Sequence, residues 1–170
     1  EQSKMPMIYT DTDSIHMIES DVEKLAENFE VKYGHKLVGK DLGQFHCDFD
    51  LKGHDGKSGI DPVSIHNVTL GAKSYLDVLQ GVDKDGNIIR DIHIRLKGVT
   101  EAGIEHKLNS LGSDRIEAAK LLYSELASGK AHEFILNPKD SVSFEYFKTG
   151  SNNVEIRTRE VNTFKRTLSF

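Results

Sequence analysis

The chain has 170 residues, of which 37% are hydrophobic and 29% charged, with one cysteine, Cys47, and a formal net charge of −5. Its size suits one domain or two small lobes, and a lone cysteine excludes an internal disulfide framework. The sequence holds neither a run long enough to span a bilayer nor a secretory apolar stretch at its start, so a cytoplasmic protein without a membrane partner is expected.

Net charge alone argues against a nucleic-acid partner, because phosphate binding depends on Lys and Arg. The distribution argues otherwise. Residues 1 to 50 hold 11 acidic against 5 basic side chains, whereas the remainder holds 17 basic against 16 acidic. Acidity is concentrated around YTDTDSIH, residues 9 to 16, and the C-terminal run KTGSNNVEIRTREVNTFKRTLSF is locally basic.

In chain order, MPMIYTDTDSIHMIES predicts a β-hairpin with strands over residues 5 to 10 and 14 to 19 around a polar tip. Strand alternation sends Asp11 and Asp13 to one side with Thr12 opposite. Ser20 and Glu23 are spaced as a capping box, and Val22, Leu25, Ala26 and Phe29 share a helical face. A helix is therefore expected from about Ser20 to just before Gly34. Residues 50 to 62, DLKGHDGKSGIDP, read as an exposed loop. VSIHNVTLGAKSYLDVLQGV and NIIRDIHIRLKGV flank DKDG and predict an antiparallel pair joined by a tight turn. TEAGIEHKLNSLG suggests a short helix. SDRIEAAKLLYSELASG is a stronger one, with Ile116, Ala119, Leu122, Tyr123 and Leu126 on one stripe and Gly129 as its stop signal. SVSFEYFKTGSNNVEIRTREVNTFKRTLSF returns to strands around GSNN.

Several stretches imitate binding motifs. GHDGKSG lacks the first glycine of a phosphate-binding loop, Leu51 standing in its place, and IDP follows where a helix is required. DKDGN places Gly86 too early for a calcium loop and has no closing bidentate Glu, so it reads as a hairpin turn. His46, Cys47, Asp48 and His54 carry zinc-binding chemistry, but their spacing matches no structural zinc pattern. A small zinc-binding protein built on His46, Cys47 and His54 stays an alternative. For Asp11 and Asp13 the bland account is a surface turn with Asp capping backbone amides. Two repelling carboxylates aimed at one point instead suit a hard cation, magnesium or manganese.

YTDTDS resembles the YxDTDS motif C of family B DNA polymerases, and its continuation into SIH resembles the protein-primed branch found in phages, adenovirus-like viruses and linear plasmids. Further similarities follow in order: LGQF at 42 to 45 to that branch's LG-aromatic strand, and KSY at 73 to 75 to its KxY motif. RLKGVTE from Arg95 resembles the start of the thumb, and SFEYFKTG from Ser143 the approach to the C-terminal strands. Together these cover most of the chain.

The resemblance implies an α+β fold, with a partial palm over residues 1 to 92 (the motif C hairpin plus a helix, with an inserted loop at about 50 to 62). A thumb of antiparallel strands with one or two helices follows over 93 to 170. It implies Asp13 as direct metal ligand, Asp11 as second motif C carboxylate, and two Mg2+ or Mn2+ ions in the complete enzyme. Lys73 and Tyr75 would hold the primer terminus, and Lys97, Arg157, Arg159, Lys165 and Arg166 would track the duplex. The partners implied are a DNA primer-template, deoxynucleoside triphosphates and a terminal priming protein. Residues matching motif A, motif B or an exonuclease domain are not found in the 170 residues, so the expectation is a C-terminal portion of a larger polymerase, or a truncated gene product, inactive alone. An exposed palm edge would then favour a homodimer. A non-catalytic duplex-binding module is the other alternative.

Overall fold

A computed structural model describes residues 7–11, 14–52, 59–137, 141–148, 154–161 and 164–170. Thr12, Asp13, His54 and the middle of the 50 to 62 loop lie outside these residues, as does the GSNN turn. The described chain is α+β, with three helices and nine strands, every strand pairing in its sheets being antiparallel. It divides into two compact units, Glu1–Arg95 and Leu96–Phe170, so the division falls three residues beyond the expected 92/93 boundary.

The first unit begins with the hairpin: β1 (Met7–Asp11) pairs β2 (Ser14–Met17), with Tyr9 opposite His16, Thr10 opposite Ile15 and Asp11 opposite Ser14. Alternation places Tyr9 and Asp11 on one face and Ile8 and Thr10 on the other. Met7, Ile8, Ile15 and Ile18 are all exposed. Helix α1 (Glu19–Tyr33) follows, and here the capping box is corrected. Ile18 is the N-cap and offers no side-chain bond, so Ser20 already lies inside the first turn, where Glu19 and Asp21 favour the helix dipole. The expected stop holds: Gly34 takes φ 75°, and its N–H donates to the Glu30 carbonyl at 2.8 Å. Val22, Leu25, Ala26 and Phe29 are half-buried as the stripe predicts, yet α1 has no fully buried residue.

Two loop readings are also corrected. Leu42 and Gly43 form a turn rather than a strand, with Gln44 N donating to Asp41 O at 3.1 Å; only Phe45 engages in a bridge, parallel to Val38. The ends of the 50 to 62 loop are anchored. Leu51 is 2% exposed, its N–H donates to Ile60 O at 3.2 Å, and both side chains press on Gly81, where a Cβ would collide with Ile60.

The expected strand pair is a three-stranded meander, β3 (Val63–Gly71), β4 (Ser74–Val82) and β5 (Ile88–Arg95), with β4 central. VSIHNVTLGAKSYLDVLQGV folds back on itself at Ala72–Lys73 because Gly71 and Lys73 adopt positive φ. DKDGN forms the turn that was expected, held by the Asp83 carboxylate, which accepts from Asp85 N at 3.0 Å and Asn87 N at 2.8 Å. Leu76, Val78, Ile92 and Ile94 line one buried face of the meander.

In the second unit, α2 (Glu101–Leu111) is capped by Thr100, whose hydroxyl accepts from Gly103 N at 3.1 Å and donates to Leu136 O. Asp114 caps α3 (Arg115–Ala127) through Ile116 N and Glu117 N at 2.9 and 3.1 Å. Ala119, Leu122, Tyr123 and Leu126 are completely buried, as the stripe predicts. Strand β6 (His132–Ile135), which the sequence reading did not identify, pairs β9 (Lys165–Leu168). The long β7 (Ser141–Lys148) and β8 (Val154–Val161) form their own ladder.

Candidate active site

Tyr9 and Asp11 lie on the inward face of the hairpin, two residues apart and half-buried. The Tyr9 hydroxyl accepts a 2.8 Å hydrogen bond from the Lys73 backbone N–H, 64 residues along the chain, and stands 3.5 Å from Asp11 Oδ2. Lys73 Nζ is 3.7 Å from the same Asp11 oxygen. The tip is braced by Ser14, whose hydroxyl donates to Asp11 O at 3.1 Å. The structure therefore brings together three residues of the expected site, Asp11, Lys73 and Tyr75. Tyr75, the second residue of β4, tilts against Tyr9 with ring centroids 5.2 Å apart. Asp13, the fourth, lies outside the described residues.

Lys73 reaches this corner at a conformational cost. Its φ of 59° is the only positive value for a non-glycine among the described residues. The left-handed region is unfavourable for a side chain bearing a Cβ, so the turn is over-determined by what surrounds it.

Beneath the corner the meander carries a polar and aromatic face that the sequence reading missed. Tyr75, Asp77 and Leu79 alternate onto one side of β4, and His93 of β5 stands opposite Asp77. Asp77 is 1% exposed; its Oδ1 accepts from Ser64 Oγ at 2.7 Å and Asn67 Nδ2 at 2.9 Å, and its Oδ2 lies 3.5 Å from His16 Nδ1. The His16 ring is edge-on to Tyr9, Tyr75 and Phe49, at 5.4, 5.0 and 5.9 Å. Phe49 in turn meets His93 at 5.0 Å. An aspartate between Leu76 and Val78 was the available signal, since a carboxylate inside an apolar run is uncommon in a strand.

Burial pushes the Tyr75 hydroxyl above its ordinary value, with Asp77, Tyr9 and Asp11 adding to the effect and Arg95 opposing it. The phenol stays protonated at neutral pH and is available as a hydrogen-bond donor. Burial, joined by the Arg95 cation, lowers His93, which keeps that imidazole neutral.

The proposed duplex-tracking residues fall in two places in the second unit. Lys165 and Arg166 are successive on β9 and so face opposite ways. Lys165 Nζ lies 3.0 Å from Glu133, whereas Arg166 Nη1 donates to Gly98 O at 3.2 Å, next to the exposed Lys97. Arg157 and Arg159 stand opposite Glu145 and Ser143 in the β7–β8 register.

Asp11 supplies hard oxygen at a solvent-reaching strand end, a donor type that fits magnesium or manganese. No group of three His, Cys, Asp or Glu side chains with metal-binding geometry occurs among the described residues, so Asp11 needs further carboxylates to complete a site. His46 and Cys47 are exposed, and His46 Nε2 is 3.6 Å from Asp48 Oδ1. Among the described residues, no helix is long and apolar enough to cross a membrane. Comparison with protein-family models, curated proteins and solved structures yields no match.

Proposed function

We propose that this chain carries the motif C hairpin and the thumb of a protein-primed family B DNA polymerase, and serves primer extension by nucleotidyl transfer. The observation that supports this reading is the meeting of Lys73 with Tyr9 and Asp11. Two short stretches far apart in sequence, one resembling a metal-binding motif and the other a primer-holding motif, share one corner of the first unit. A chance surface DxD gives no reason for such a meeting.

Each side chain then has a chemical task. Asp11 and Asp13 would hold divalent ions, which supply activation of the primer 3′ hydroxyl and neutralisation of the triphosphate. Lys73 presents a compact, exposed cation suited to a backbone phosphate of the primer terminus. Tyr75 offers a protonated hydroxyl and a ring edge for the terminal sugar, contacts that position without reading sequence. Tyr9 ties the Lys73 turn to the hairpin, so that cation and carboxylate move as one body. The third carboxylate of such a centre would come from a motif A strand elsewhere in the polymerase.

The test uses both the chain and a polymerase that contains it. The 170 residues alone show no primer extension with magnesium or manganese, and the complete polymerase loses nucleotide incorporation on Asp13→Asn while retaining duplex binding. Extension by the chain alone overturns the incomplete-site reading. Full incorporation by the Asp13→Asn enzyme overturns the metal role.

A further inference from the structure

Asp77 has one oxygen that the sheet explains and one that it does not. Oδ1 is saturated by Ser64 and Asn67, both on β3, which secures β3 to β4. Oδ2 is fully buried and, among the described residues, has no hydrogen-bond partner. What approaches it is the hairpin, through His16 Nδ1 at 3.5 Å. A buried carboxylate oxygen is costly to leave without an opposing donor, so the hairpin's position over the meander is coupled to this contact.

His16 also belongs to the corner itself. It stands opposite Tyr9 in the hairpin register, and its ring packs against those of both Tyr9 and Tyr75, which also touch each other, so the three rings form a triangle. Tyr9 in turn holds the Lys73 N–H. A displacement of His16 therefore moves the support of both the carboxylate strand and the Lys73–Tyr75 turn.

We propose that Asp77 is a positioning residue of the candidate active site: acting through His16, it seats the Tyr9–Asp11 strand against the Lys73–Tyr75 corner. The inference rests on reading that corner as the primer-terminus site. Asp77 touches neither the ions nor the primer. It fixes the spacing between groups that do, a role for which a rigid, buried carboxylate on the central strand is well placed.

The competing account is that Asp77 serves only the β3–β4 pairing, with His16 an unrelated neighbour. A mutant cycle separates the two. Asp77→Asn, His16→Gln and the double variant of the 170-residue chain are compared by amide hydrogen exchange and by the Overhauser contact between the Tyr9 and Tyr75 rings. Each single substitution raises Lys73 amide exchange about tenfold and weakens the ring contact, and the double variant adds little more, because both act on one path. Amides of β4 and β5 report that the sheet itself remains folded. Unchanged Lys73 exchange in Asp77→Asn, or effects of the two substitutions that multiply, overturns the proposal. If Asp77→Asn fails to fold, His16→Gln decides alone, since unchanged exchange there is equally fatal. None of these readouts requires catalysis. Full incorporation by an Asp13→Asn polymerase would sink the metal role proposed for the hairpin with the cycle unaffected, and a negative cycle would leave that role standing.

Discussion

Lys73 combines three roles that conflict in an ordinary surface turn. It closes the β3–β4 hairpin in a left-handed conformation, donates its N–H to Tyr9 and points its cation at Asp11. Glycine adopts φ 59° without the Cβ clash, so Lys73→Gly removes strain worth roughly 1–2 kcal/mol. Part of that gain is returned through the greater freedom of glycine in the unfolded chain, leaving a net stabilisation of about 0.5–1 kcal/mol. Urea denaturation should show the variant at least as stable as the parent, while a complete polymerase carrying it extends primers poorly. A variant that is destabilised by more than a few tenths would place the worth of Lys73 in folding instead. Lys73 and Tyr75 could be singled out in the sequence because KSY resembles a short, ordered motif, whereas their meeting with Tyr9 and Asp11 shows only in the fold. Asp77 was not, because in an alternating strand it reads as an outward position. Only the central place of β4, covered on both faces, makes it an interior one.

At the scale of elements, the legible parts were those with local signals: the stripes of α1 and α3, the Gly34 stop, the Asp83–Asn87 turn. Strand β6 has only four residues, HEFI, and its pairing with β9 lies across some thirty positions, so no local pattern announces it. Its first residue carries a measurable consequence. His132 is 6% exposed, with Nε2 2.8 Å from Glu125 Oε2 at the end of α3, a close approach rather than a well-aligned hydrogen bond. Burial and the nearby Lys107 cation lower the His132 pKa, with Lys130 adding and Glu125 opposing. The folded unit thus binds fewer protons than the unfolded chain over the window from that lowered value up to about 6.5, the ordinary histidine value. Stability contributed by neutral His132 is complete above that window and is lost as pH falls through it. Glu125 acts lower: its hydrogen bond to Lys130 depresses its pKa, and that contribution is lost only as pH falls through the depressed value. Thermal unfolding of the second unit should therefore shift upward between mildly acidic and neutral pH, and His132→Gln should remove most of that slope. His93, also lowered, gives the first unit a slope of the same sign, so the two must be followed by separate probes. An undiminished slope for the second unit in His132→Gln would assign it to another group.

The whole chain carries its charge unevenly, acidic in the first 50 residues and slightly basic beyond, and on the proposed polymerase reading this bears on how it would meet a duplex. An even surface with net charge −5 would repel DNA at every approach. Here the acidity falls in the part of the sequence that holds Asp11, where a polymerase would bind divalent ions, and candidate phosphate contacts lie in the later part, at Lys97, Arg157, Arg159, Lys165 and Arg166. Not all of these cations are equally available. Lys165 is engaged by Glu133, and Arg166 donates to Gly98 O, so each must exchange a protein contact for a phosphate. Affinity per cation should therefore be modest, and the loss of affinity with added salt shallower than five independent phosphate contacts would give. Reversing Arg157, Arg159, Lys165 and Arg166 to Glu should abolish duplex retention and flatten its salt dependence. Asp11→Asn should preserve or raise retention in low salt, because it removes one negative charge from an acidic chain. Titrations of labelled primer-template at several salt concentrations give both answers. Retention that survives the four reversals with its slope intact would move the duplex path away from these strands, whereas weaker retention on Asp11→Asn would mean that the carboxylate supports the surface that DNA contacts.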